Sequence, residues 1–177
     1  MKNDGRSPVV DWLRLLVRNI QSERPDAQGV GAIGMCLTGG IVISLAMEPA
    51  VVAPVVSQPS IPLAKFGSGR AALGVPDEHV AFLSSRAEAG LELLGWRFTR
   101  DKLCPPERFE RLRSVMKGKF IERAIVSGEG SDHGIREGAH SVLTYADMEV
   151  RPVRDAIAET IEFLLRVSSV FRLDARI

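Results

Sequence analysis

The sequence predicts an α/β protein, a mostly parallel sheet flanked by helices, and three observations point there. Short apolar runs, β-branched or bounded by glycine, alternate along the chain with longer stretches of helical period. Those runs are apolar on both faces, as strands covered by helices on each side must be. The 177 residues are 45% hydrophobic and 25% charged, the balance of an ordinary folded domain rather than a disordered or fibrous one. A chain of this length makes one ordinary domain over residues 1–177, with no linker, internal repeat or low-complexity tract.

The elements follow in order. Ser7 and Pro8 read as the N-cap and first residue of a helix. Val9, Trp12, Leu13, Leu16, Val17 and Ile20 then keep the 3.6-residue period, and Asp11, Arg14, Arg18 and Asn19 take the other face. Pro25 ends that helix. Residues 29–35 are short, apolar and glycine-bounded, which predicts a buried strand, and residues 37–47 continue as an apolar segment with Gly39 and Gly40 near its start. A second strand is expected over residues 51–56, ending at Ser57-Gln58-Pro59-Ser60, and residues 63–76 form the longest loop. Asp77 caps a helix running to about residue 89. Residues 91–98 read as a third strand that ends in Thr99-Arg100-Asp101. A basic helix over 105–117, a fourth strand over 120–126 and a turn-rich loop over 128–138 come next. Pro152 opens a closing helix with Val153, Ile157, Ile161, Leu164 and Leu165 on its apolar face.

Charge narrows the function classes. The 23 basic and 22 acidic side chains leave a net charge of +1, so there is no electrostatic case for nucleic acid or a membrane surface. The longest apolar runs, residues 41–47 and 51–56, fall far short of the roughly 20 residues a membrane helix needs. The polar amino terminus shows no secretory signal, and two cysteines cannot build a disulfide framework. The expectation is a cytoplasmic protein with reduced thiols.

In parallel sheets, function gathers at the carboxyl ends of strands. Three candidates fall there: Cys36, Asp101 and the loop carrying His133 and His140. Gly34-Met35-Cys36-Leu37-Thr38-Gly39 joins a strand directly to a helix, the shape of a nucleophile elbow, in which the strained turn demands small neighbours. The helix N-terminus favours thiolate at Cys36, and the Leu37 N–H supplies an oxyanion donor. In such a triad the histidine takes the thiol proton while the aspartate orients the imidazole. His133 is favoured as the base on its distance from the fourth strand, with His140 as the alternative. Plainer uses exist for each residue: Cys36 as packing, Asp101 as a helix cap, and Cys104 as a loop thiol without metal-ligand spacing. His79, between Glu78 and a helical surface, is expected to be solvated.

On these residues the chain resembles the dienelactone hydrolase family. The elbow resembles the family's Gly-x-Cys-x-x-Gly, Phe98-Thr-Arg-Asp101-Lys-Leu-Cys-Pro105 its strand-end acid, and Gly128-Glu-Gly130-Ser-Asp-His133-Gly its histidine loop. The resemblance covers residues 8–166, the carboxyl-terminal two-thirds of a member. It implies an α/β-hydrolase-like fold lacking the amino-terminal strands. It also implies a hydrolase acting on a small ester or lactone through a Cys–His–Asp triad, with no metal and no other cofactor. Family members begin with about four more strands, whose loops carry the second oxyanion donor and an acid that restrains the nucleophile. They also carry an Arg after the histidine for a substrate carboxylate, where this chain has Glu137 or Thr144. Without those strands, residues 29–35 become an unprotected sheet edge, which predicts a homo-oligomer or a partner chain covering it. The alternative reading is a catalytically weak remnant that serves as a binding or assembly partner.

Overall fold

The computed structural model describes residues 7–60 and 67–168. Its elements are α1 (Pro8–Glu23), β1 (Val30–Met35), α2 (Thr38–Leu45), β2 (Val51–Ser57), a short 3-10 turn (Gly67–Ala71) and α3 (Asp77–Glu88). β3 (Leu93–Phe98), α4 (Pro106–Met116), β4 (Phe120–Ile125) and α5 (Arg151–Ser168) complete the order. The four strands form one sheet in the order β1-β2-β3-β4, parallel throughout. With every strand pointing the same way, the turns that leave them collect at one end of the sheet.

Two apolar layers sandwich the sheet. On one face Val42 and Ile43 of α2, Leu83 of α3 and Phe109, Leu112 and Met116 of α4 close over Val56 and Leu93. On the other, Val153, Ala156 and Phe163 of α5 and Ile135 and Val142 of the preceding loop cover Ala53, Val55, Leu94 and Trp96. Each fully buried Leu, Ile or Phe contributes about 1.5–3 kcal/mol relative to exposure. β3 is buried along its whole length, and a Cβ on Gly95 would stand 2.4 Å from the Phe120 ring. β2 shifts register between the pairs Val30↔Val51 and Gly31↔Ala53. The extra residue explains why Val51 packs toward α1 while Ala53 and Val55 face α5. Pairing of β2 with β3 begins at Val55, one residue beyond Pro54, which has no N–H to give.

Several local expectations need correction. α1 does not bury its most obvious stripe: Val10 and Val17 are buried, while Val9, Trp12, Leu16 and Ile20 are exposed. The side that turns inward carries Val10, Leu13, Arg14 and Val17, with Arg14 on the Ser44 carbonyl at 3.3 Å, while exposed Arg18 reaches Glu48 at 2.9 Å. α5 is rotated likewise, burying Val153, Ala156, Thr160 and Phe163 and leaving Ile161 and Leu165 exposed. The reason is polar: the Trp96 Nε1–H donates to Thr160 Oγ1 at 2.9 Å and fixes which face meets β3. Ser7 makes no side-chain cap bond, and Pro76, not Asp77, is the N-cap of α3. No helix among the described residues is long and apolar enough to cross a membrane.

Candidate functional site

The turn between β1 and α2 is tight enough to dictate its residues. Cys36 sits at φ 53°, in the left-handed region that side chains enter only under constraint. A Cβ on Gly34 would stand 2.4 Å from the Thr38 carbonyl, and one on Gly39 2.6 Å from Pro59 Cβ. Both positions therefore require glycine, as the elbow pattern demands. Thr38 locks the turn from within: its Oγ1 accepts from Met35 N–H at 2.8 Å and donates to Met35 O at 2.8 Å. The result holds Cys36 immediately ahead of α2, half-buried, with its sulfur 3.0 Å from Ser60 Oγ.

Asp101 follows β3 and is buried. Its Oδ1 accepts from the N–H groups of Leu103 and Cys104 at 2.9 and 3.1 Å, and its Oδ2 meets His140 Nδ1 at 2.7 Å. The carboxylate thus has one oxygen for its own turn and one for the imidazole, so it caps and orients at once. Arg97 and Arg108 brace this turn through the carbonyls of Cys104 and Leu103. His140 arrives on the long loop after β4. That loop folds back across the sheet because Gln58, at the end of β2, accepts the Val142 N–H on its Oε1 at 3.0 Å.

The charges follow from these contacts. Hydrogen bonding to Asp101 raises the pKa of His140 to about 8; burial opposes this, and Cys36 adds to the rise. Burial works against the Cys36 thiolate, yet the Ser60 hydroxyl, His140 and the Leu37 N–H together draw its pKa below the usual thiol value. Among the described residues Nε2 of His140 makes no hydrogen bond in this resting geometry, though imidazole and thiol each favour the other's charged form. The second cysteine is the opposite case. Cys104 is completely buried in the layer under α4, and burial pushes its thiol up to about 12.

Cys36 and Asp101 therefore lie after β1 and β3, and His140 meets Asp101. His133 does not. It lies exposed on the turn between Ser131 and Ile135, with no hydrogen bond or ion pair among the described residues. That turn closes on itself through Ile135 N–H to Ser131 Oγ and Gly128 N–H to Ile135 O, so a short distance from β4 does not deliver a side chain to Asp101. His79 is also corrected: it is buried, with Nδ1 3.2 Å from Ser44 Oγ, because α3 packs this side against α2. Burial, then the charge of Arg14, lowers its pKa.

Sequence reasoning missed Gln58 and Ser60. The signal was present, since both leave the carboxyl end of a strand, the same place that singled out Cys36 and Asp101. A cleft of about 880 Å³ opens beside Leu37 and Ser60, with Val10, Ile41 and Leu73 among its apolar walls and Arg14 and His79 among its polar ones. No family model, curated protein or solved structure matches this chain.

Proposed function

We propose that the chain is a hydrolase that cleaves an ester or lactone through Cys36, with His140 as base and acid and Asp101 as the group that orients it. The observation that carries the reading is the 2.7 Å contact between His140 Nδ1 and Asp101 Oδ2, beside a cysteine in strained backbone ahead of a helix. The resemblance of Gly34-Met-Cys36-Leu-Thr-Gly39 to the dienelactone hydrolase elbow supports it from sequence. The cleft at Leu37 and Ser60 offers room for a small substrate.

The chemistry runs in two halves. The Cys36 thiolate attacks the carbonyl carbon, and the oxygen that gains charge is met by the Leu37 N–H. Collapse breaks the ester C–O bond, the His140 imidazolium gives its proton to the departing oxygen, and a thioester remains on Cys36. Neutral His140 then takes a proton from water as the water oxygen attacks the thioester. The acid departs and the thiolate returns. Asp101 keeps Nδ1 as the protonated nitrogen, which leaves Nε2 to move the proton. The raised imidazole pKa of about 8 and the lowered thiol pKa both shift the balance toward a thiolate–imidazolium pair.

The test is turnover of p-nitrophenyl acetate. Cys36→Ser is expected to lower kcat/KM by at least about 100-fold, as removal of a member of a cooperating triad does. Cys104→Ser is expected to keep turnover within about twofold, because that thiol is packed away from the cleft. Full turnover in Cys36→Ser would overturn the reading. A second reading, an assembly module, has one observation in its favour: Trp12, Leu16 and Ile20 of α1 and Ile33 of the β1 edge are exposed.

A further inference from the structure

The turn that leaves β2 touches both the nucleophile and the loop of its base, and its contacts are too many for a passive connection. Ser57 O accepts the Cys36 N–H at 3.1 Å, and the Ser60 N–H donates to Cys36 O at 2.9 Å. Pro59 lies against Gly39, where even a methyl group would collide, and its carbonyl accepts from buried Arg108 Nη1 at 2.8 Å. Gln58 is held at φ 37°, with its N–H on the Trp96 carbonyl and its side chain on Ser57 Oγ and the Val142 N–H. A non-glycine residue in that conformation persists only where its surroundings over-determine it. These anchors fix the place of the Ser60 hydroxyl, 3.0 Å from Cys36 Sγ. Meanwhile His140 Nε2 has no geometric hydrogen-bond partner among the described residues. Ser60 therefore bonds the sulfur directly in the resting site.

We propose that Ser60 is a positioning residue for the nucleophile, its hydroxyl donating to the Cys36 thiolate and holding the sulfur in place until substrate enters. This rests on Cys36 being the nucleophile. Three consequences follow from the geometry. The hydroxyl hydrogen-bonds a thiolate more strongly than a neutral thiol, so it favours thiolate. It also restricts the sulfur in a turn where the Cys36 backbone is already held at both N–H and carbonyl. And because Ser60 also faces the cleft, an entering acyl group passes beside it. The lowered pKa of Cys36, to which Ser60 contributes, agrees with the first of these.

The experiment measures iodoacetamide labelling of the intact chain against pH, with the labelled peptide identified by mass, alongside turnover of p-nitrophenyl acetate. Ser60→Ala and Ser60→Gly keep the backbone N–H and remove the hydroxyl, and Ser60→Thr restores it. The expected result is a labelling midpoint for Cys36 raised by about half a unit to one unit in both removal variants. Labelling at pH 6 falls about three- to tenfold with it. Ser60→Thr recovers most of the shift, and in Ser60→Ala kcat falls while KM stays. Thermal melts confirm that at least one removal variant is folded. An unchanged midpoint in a folded removal variant overturns the proposal, and so does a shift that Ser60→Thr fails to reverse. Failure of the hydrolase reading looks different: Cys36→Ser retains turnover, while the labelling shift in Ser60→Ala can still stand or fall by itself.

Discussion

The carboxyl end of the sheet and the flank formed by α1 and β1 are built on opposite terms. At the carboxyl end most buried polar groups are paired, with His140 Nε2 and Arg108 Nη2 the exceptions among the described residues. Asp101 serves two backbone N–H groups and an imidazole, Gln58 and Ser60 tie β2 to the neighbouring turns, and Arg97 and Arg108 satisfy carbonyls from below. On the flank, apolar side chains face outward: Trp12 is 61% exposed and Ile33 47%. Arg18 reaches the buried carboxylate of Glu48 and Arg14 the Ser44 carbonyl, whereas the Arg14–Asp11 pair lies within α1 itself. The contrast teaches where specificity resides. Directional bonds leave one arrangement at the site, whereas an apolar stripe on each side of α1 leaves the helix two comparable faces to bury.

The largest effect belongs to the proposed base. His140→Ala is expected to lower ester turnover by about 100- to 10,000-fold, the range of a lost general acid–base group. His133→Ala is expected to stay within about twofold, since an exposed side chain away from Asp101 has no part in proton transfer. Steady-state kinetics on both variants decide it, and the reverse pattern would dissolve the network just described. A smaller effect is pH-linked. The pKa of His140 is raised in the fold, from 6.5 to about 8. Its pair with Asp101 therefore stabilises the protein fully below about pH 6.5, and that contribution disappears as pH rises through about 8. Urea unfolding of wild type against His140→Gln should show a stability gap that shrinks by up to about 2 kcal/mol between pH 6 and pH 9. A constant gap would mean that the pair is not formed in solution.

The smallest energetic effect lies on the flank. The purified chain is expected to run as a dimer or larger in size exclusion with light scattering, through the edge at β1 and the exposed face of α1. Trp12→Glu should shift it toward monomer and leave folding stability within about 0.5 kcal/mol, as exposed positions usually do. A wild-type monomer would break the comparison, because the flank would then need no covering.

Much of this protein was legible in the order of its residues. The alternation of apolar runs and helical periods specifies four parallel strands with helices between them, because period and burial pattern are local properties of the chain. The tight turn at Cys36 was legible for the same reason: a strand, a glycine, a cysteine and a second glycine within six residues constrain one another directly. Asp101 was legible by its position after a strand, a place that parallel topology turns into a shared end of the sheet.

What tertiary structure alone decided is which side chains meet across long separations. His140 is 39 residues from Asp101, and Gln58 is 84 residues from Val142, whose N–H it holds. No local period encodes those distances. Counting residues from β4 pointed to His133, but a loop closes according to its own hydrogen bonds and to the partner that captures its far end. Ser60 comes to Cys36 in the same way, through the pairing of β1 with β2, which sets two carboxyl-terminal turns side by side. The faces of α1 and α5 were also decided in three dimensions. Each helix offers more than one apolar stripe, and directional contacts such as Arg18 to Glu48 and Trp96 to Thr160 select among them. Apolar burial is proportional to area and indifferent to direction, so hydrogen bonds and charges settle what periodicity leaves open.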